Sequence, residues 1–231
     1  MVERVGWLSF NSSLLRERLV SYPYPYPGPP GQAGWLSDTY PYLLHIMHPT
    51  GGPDDPSGAG TVTWAHIADA RGIHLRPGRA FYDVVGIHDP APILDGVFDE
   101  LPESGKLPTE LQQPLYEHLN AAQWGLLWDG FHCDPVDAAF YDEADTVART
   151  VESEGGLRYH PLTIDRTGRP SAMTSRSPNF WWPQDHSWVA ATGIDEYETL
   201  VASTDWALLD QIHHDPRFET HLFSRETNNA I

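Results

Sequence analysis

Three tryptophans and a proline crowd into Asn179-Phe180-Trp181-Trp182-Pro183-Gln184-Asp185-His186-Ser187-Trp188, and the run leads straight into the strand-like Val189-Ala190-Ala191-Thr192-Gly193-Ile194-Asp195. Indole is large, rigid and amphipathic, so such a stretch either closes the edge of a core or presents a recognition surface. Both uses place a bulky aromatic junction in the C-terminal third. Trp188 is expected in the core, and Trp181, Trp182, Asp185 and His186 are the candidate partner- or ligand-binding residues. An acid beside an imidazole can raise its pKa or orient it, although adjacent residues on a strand diverge.

Around this junction the chain reads as interspersed helices and strands. Trp188 to Ile194 and Thr199 to Ser203 read as two strands joined by a tight turn at Asp195-Glu196. Thr204 is expected to cap a helix over Asp205 to His213, with Trp206, Leu209 and Ile212 facing inward. Upstream, Tyr40 to Met47 reads as a strand, and Thr63 caps a helix from Trp64 to Ala70, closed by Gly72, whose Trp64, Ile67 and Ala68 form one stripe. The segment from Thr50 to Gly60 is a loop, and Arg79 to Gly105 a winding connection. A helix is expected over 108–121, with Pro114 bending it or marking its first turn. Gln123 to Phe131 and Leu157 to Ile164 read as strands, Phe140-Tyr141 and Val147 to Val151 as strand or helix, and Asp165 to Pro178 as a polar loop. Near the start, Leu14 to Val20 suits a short helix and Tyr22 to Pro30 an extended Tyr-Pro strap. The strap could serve a proline-recognising groove, but tyrosines packed on the body are the preferred reading. No internal repeat is evident and regular βαβ units are missing. These elements predict an α+β fold: a single compact domain over 35–231, with a mixed or antiparallel sheet and about three or four helices packed against it, preceded by the helix and strap of 1–34.

Composition narrows the partners. Acidic residues outnumber basic ones by 32 to 14, a formal charge of −18, and Lys106 is the only lysine. Such a surface repels phosphate backbones, so nucleic acid is not an expected partner. It suits either general acidity or steered capture of a basic protein. Plentiful arginine and proline with scarce lysine also matches a GC-rich genome. No segment nears the roughly 18 apolar residues needed to cross a bilayer, so no membrane association is expected. Met1 to Phe10 lacks a secretory pattern. The lone Cys133 leaves no internal disulfide. A cytoplasmic location is the simplest expectation.

The titratable residues give no enzyme signature. His45-Ile46-Met47-His48 invites a metal, but residues three apart on a strand point to opposite faces. His213-His214-Asp215 fits a helix C-terminus, where cationic histidine complements the macrodipole. Cys133, with His160 or His186 as base, could be a nucleophile, yet Pro135 prevents the thiol from opening a helix. No GxSxG, HExxH, P-loop or GxGxxG pattern stands at a usable place. No cofactor and no metal is expected, and enzymatic activity is the weaker expectation.

The stretch from Asn179 to Asp195, then Thr199 to Ser203, then the helix ending in Asp215-Pro216-Arg217-Phe218-Glu219, resembles the C-terminal module of an uncharacterised family from GC-rich Gram-positive bacteria. Ile46-Met47-His48-Pro49, Val62-Thr63-Trp64 and Trp124-Gly125-Leu126-Leu127-Trp128-Asp129-Gly130 extend the resemblance over about 35–223. It implies a shared fold and no particular activity. The chain departs from the pattern at His186, where a fixed basic residue is usual, and at Ser203-Thr204, where glycines are usual. The leading expectation is a non-enzymatic protein-binding module of the immunity or antitoxin type, with an acidic, aromatic-lined surface. The alternative is a small-molecule-binding protein or enzyme whose pocket is lined by Trp181, Trp182, Asp185 and His186.

Overall fold

The computed structural model describes residues 40–51, 61–75, 81, 84, 101–128, 130, 151–152, 158–164, 176–194, 196–224 and 229–230. In chain order these form β1 (Tyr42–Met47), β2 (Thr50–Gly51), β3 (Thr61–Val62), α1 (Trp64–Ala70), α2 (Thr109–His118), β4 (Ala122–Trp128), β5 (Val151–Glu152), β6 (Arg158–Thr163), β7 (Phe180–Pro183), β8 (Trp188–Thr192), β9 (Glu198–Ser203), α3 (Trp206–His213), β10 (Glu219–Ser224) and β11 (Asn229–Ala230). The expected helix over 14–20, the Tyr-Pro strap, Cys133, Phe140-Tyr141 and most of the loops over 52–60, 85–100 and 165–175 lie outside the described residues.

The expected α+β arrangement is present as one antiparallel sheet in the order β11-β10-β1-β9-β8-β7-β4-β6-β5, beside a separate β2-β3 ladder. Seven strands of four to seven residues form its body, and the two-residue β5 and β11 close its edges. β1 lies between β9 and β10 and is antiparallel to both, with His45 opposite Leu200 on one side and His221 on the other. β9 and β10 therefore run parallel to each other, and α3 makes the crossover that parallel strands require.

Alternating side chains divide the core between two faces. On one face Leu44, Ile46, Trp181, Trp188, Ala190 and Val201 pack against Leu111, Leu115 and Tyr116 of α2 and Leu209 and Ile212 of α3. On the other, Leu43, Leu126, Tyr159, Phe180, Trp182, Val189, Leu200 and Ala202 form a second cluster. Every residue of β7, β8 and β9 is buried. These strands therefore read as nearly continuous apolar runs, the pattern of a sheet buried on both faces. A third cluster seats α1 through Trp64, Ile67 and Ala68 against Met47, which confirms the expected stripe.

Three local features differ from the sequence reading. Phe180–Pro183 is a strand in the body of the sheet, because its two neighbouring indoles each find a buried face. Glu219–Ser224 is also a strand; its polar Glu219, Thr220 and His221 hide an element that pairs along the whole of β1. Asp205, not Thr204, caps α3, its carboxylate accepting from Ala207 N at 2.9 Å. Thr204 is unavailable because its amide and hydroxyl both donate to Ser187 O. α2 begins at Thr109, so Pro114 lies inside the helix and does not open it. Gly72, at φ +64°, follows α1 as expected of a helix stop.

Candidate functional site

The residues of the tryptophan-rich run separate as the chain passes from strand to turn. Trp181 is fully buried beneath the helices, edge-on to Tyr116 (ring centroids 4.7 Å apart) and to Trp188 (5.8 Å). Trp182 is buried on the opposite face, and Trp188 is core as expected. Asp185 is exposed in the following turn, where its carboxylate accepts from Ser187 N at 3.0 Å and Ser187 Oγ at 2.8 Å, bonds that hold its pKa below the ordinary value. His186, partly buried, is the one non-glycine residue with positive φ (58°) among the described residues. Burial lowers its pKa, against the opposing charge of Asp185. The four candidate residues therefore do not line one pocket or one surface. Period-two alternation sends the indoles to opposite faces, and the acid and imidazole belong to the turn.

Asn179, at the head of the run, does more than any of the four to fix the local fold. Its Oδ1 accepts from Trp128 N at 2.8 Å, and its Nδ2 donates to Gly105 O at 3.0 Å and Thr192 O at 3.1 Å. Its backbone donates to Leu126 O and accepts from Thr192 N. One buried amide thus joins β4, β7, β8 and the 101–108 segment. Gly125 lets this corner close, since a Cβ there would lie 3.0 Å from Pro178 Cβ. The segment is also held where Ser177 Oγ accepts from Leu107 N at 2.8 Å and Glu196 O from Gly105 N at 3.1 Å.

His48 ends the same network, and its tautomer follows from its partners. Its Nδ1 lies 2.8 Å from Glu103 O, which can only accept, so Nδ1 carries the proton. Nε2 then accepts from the Thr199 hydroxyl at 2.9 Å, and Thr199 Oγ1 accepts in turn from Thr192 Oγ1 at 2.7 Å. Burial depresses the His48 pKa to about 4, although the bond to Glu103 works in the opposite sense. Every polar atom along this chain has a partner. The arrangement is structural.

One residue along β9 the situation reverses. Glu198 points to the sheet's other face, 4% exposed, with Oε2 3.7 Å from Nδ1 of the buried His45. That spacing is too long for a hydrogen bond, and among the described residues Oε2 has no hydrogen-bond partner. Burial, with the Glu196 charge adding, pushes the Glu198 carboxyl up to about 8, while burial and then His221 push His45 down to about 3. The pair is therefore an uncharged acid beside an uncharged imidazole near neutral pH, despite its salt-bridge spacing. The Phe223 ring packs on His45 with centroids 4.8 Å apart, and the half-buried His221 is its cross-strand neighbour. The sequence reading singled out His45 but paired it with His48. The two do face opposite ways, and the actual neighbour lies 153 positions along the chain.

The remaining candidates have structural explanations. His213 lies 2.7 Å from Thr220 Oγ1, and His214 Nδ1 lies 2.9 Å from Asp210 O at the end of α3, as the capping expectation required. His118 Nε2 meets Asp215 Oδ2 at 2.9 Å, while Arg217 grips Asp215 through Nε and NH2 and Glu117 through NH1. This partly exposed cluster ties α2 to the corner after α3 and lowers the Asp215 pKa, chiefly through Arg217. Among the described residues no helix is long and apolar enough to cross a membrane. Comparison with protein families, with curated proteins and with solved structures returned no match.

Proposed function

We propose that the chain is a non-enzymatic, cytoplasmic binding protein of the immunity or antitoxin type, which takes a basic protein partner on an acidic and largely polar surface. The observation that carries this reading is a formal charge of −18 on a chain whose described aromatic residues are all buried or half-buried. Among the described residues Leu101 is the one large apolar side chain that is exposed. A surface of this kind favours association steered by charge over one anchored by indole. Accordingly, Trp181 and Trp182 support the binding surface from within, and contact with a partner falls to exposed acids such as Glu110, Asp185 and Asp205. Grouping the chain with the GC-rich Gram-positive family belongs to the same proposal, and Asn179 is the residue on which such a grouping would turn.

The test is capture of a stoichiometric basic protein by the tagged chain from its native lysate at low ionic strength, with release as salt is raised. Surface charges are screened over about 10 Å at 0.1 M salt, so an association of this type weakens steeply above that concentration. No stoichiometric partner at any salt would refute the reading. A second reading, small-ligand binding or catalysis, is favoured by one observation, the unpartnered buried oxygen of Glu198 beside His45. It moves the pocket away from Trp181, Trp182, Asp185 and His186.

A further inference from the structure

We propose that the outer edge of β10, from Glu219 to Leu222, binds an extended segment of the basic partner as an added strand. The inference rests on the reading of the chain as a binding protein for a basic partner and names the surface that holds it. β10 pairs with β1 in an unbroken register, from Met47 opposite Glu219 to Tyr42 opposite Ser224. On its other side β11 pairs with Phe223 and Ser224 alone. Among the described residues no strand continues that ladder along Glu219 to Leu222. The central β7, β8 and β9 are buried throughout, whereas Glu219, Thr220, His221 and Phe223 are half-buried, so the flank of β10 reaches water. In an antiparallel ladder every second residue turns its N–H and C=O to one neighbour, and the residues between turn theirs the other way. The edge therefore offers a short row of backbone donors and acceptors of the kind that captures an extended peptide.

The composition of the edge says which strand it takes. Natural sheet edges are shielded by lysine, by proline or by a bulge. The opposite end of the sheet follows that rule: β6 carries Arg158 and Pro161, and proline has no N–H to offer a further strand. β10, Glu-Thr-His-Leu-Phe-Ser, has no lysine, no proline and no bulge. Its one acid is already engaged, since the Glu219 carboxylate accepts from the amides of Trp64 and Ala65, both at 2.7 Å. An edge left this open would pair with a second copy but for charge. Each copy carries a formal −18, and like charge of that size keeps copies apart. The same charge draws a strand that bears lysine or arginine. Nothing on β10 opposes it: burial first and His213 second lower the pKa of His221, which is therefore neutral near pH 7. Surface acids steer the basic segment in, and main-chain bonds hold it. Its side chains then alternate between the face of Thr220 and Leu222 and the face of His221 and Phe223.

The experiment follows amide hydrogen exchange of the full-length protein by NMR at low ionic strength. In the free protein, alternate amides of Glu219 to Leu222 should exchange fast and those bonded to β1 slowly. The probe is a peptide of about ten residues alternating lysine and threonine, long enough to cross the edge. At about 90% occupancy the free fraction is a tenth, so the fast amides should slow about tenfold, while a glutamate-threonine peptide of the same length leaves them unchanged. Thr220→Pro and His221→Pro separate the two sides of the strand. One removes a bond to β1 and lowers stability; the other removes only an outward donor and, folded, should bind the probe more weakly by about tenfold or more. Should neither variant fold, the wild-type exchange pattern decides alone. The proposal is overturned if the outward amides are already slow in the free protein, if both peptides slow them alike, or if the folded proline variant binds as wild type does. Slowing that grows with protein concentration would assign the edge to a second copy and overturn it equally. A basic partner captured from lysate that leaves these amides fast would overturn the edge and spare the partner reading; protection by the probe with no partner in lysate would do the reverse.

Discussion

Thr199 and Glu198 are neighbours on one central strand, and the polar groups around them have opposite fates. On the Thr199 side, His48, Thr192 and Thr199 form a chain of bonds of 2.7 to 2.9 Å that ends on the carbonyl of Glu103, and Asn179 closes the adjoining corner. On the Glu198 side, an acid and an imidazole are buried 3.7 Å apart with one oxygen unmet. Both sets are removed from water, so burial alone does not distinguish them. Satisfaction does: a complete network specifies the fold, whereas an incomplete one calls for a ligand or a proton.

The largest effect should come from breaking the closed side. Asn179→Asp keeps the shape of the side chain but replaces two donors with an acceptor facing the carbonyls of Gly105 and Thr192. A buried carboxylate against two carbonyls should cost about 4 kcal/mol, seen as a lower urea midpoint with an unchanged slope. A loss below about 1 kcal/mol would show that the corner is wet and the network loose.

Acid should strain the same side next. His48 is neutral when folded and its pKa falls from 6.5 to about 4, so its contribution is complete above 6.5 and is lost as the pH falls from 6.5 toward 4. A loss of about 3 kcal/mol is expected over that window, as an order of magnitude, since one pKa unit is worth about 1.4 kcal/mol. Melting temperatures across this range should fall less steeply for His48→Gln than for wild type. Equal slopes would place the acid sensitivity elsewhere.

Much of this frame is legible in the sequence. β1, β8, β9, α1 and the core of α3 announce themselves through short apolar runs or helical patterning with turn signals at their ends, because their local preferences agree with their environment. β7 and β10 were harder for opposite reasons. Phe180 to Pro183 is a four-residue run of aromatics ending in proline and reads as a loop, and Glu219 to His221 look like surface. Glu219 in fact binds the amides of Trp64 and Ala65, both at 2.7 Å, at the start of α1. The His45 and Glu198 pair could not be read at all, since only the sheet order brings β1 beside β9. The same ignorance of pairing made Trp181 and Trp182 look like one surface; a strand at that position divides them between two cores.

A smaller effect should follow from Thr199→Val, which keeps the branched shape that suits a strand and removes only the hydroxyl. His48 Nε2 loses its donor and Thr192 its acceptor, so a cost of about 1.5 kcal/mol is expected in denaturant melts. Thr192→Val should add little on top, because both changes break the same link and neighbouring sites are not additive. Additive losses would mean that the two hydroxyls act independently.

The smallest change should have the opposite sign, and that makes it the sharpest measure of the comparison. The Glu198 carboxyl has a folded pKa of about 8, above its ordinary 4.5, so folding must retain a proton that the unfolded chain gives up. This cost is absent below 4.5, builds as the pH rises, and is complete above about 8. Glu198→Gln removes the ionisable proton but buries an amide in its place, which offsets much of the gain, so at pH 7 it should stabilise the protein by about 1 kcal/mol, while Asn179→Asp and Thr199→Val destabilise it. Thermal melts at pH 7 decide the sign. A clear loss on Glu198→Gln would mean that the carboxyl has a bonded partner and that the two sides of β9 are alike. A gain would show that the acid is kept at this position at a cost to the fold, unlike the closed network on the other side of β9.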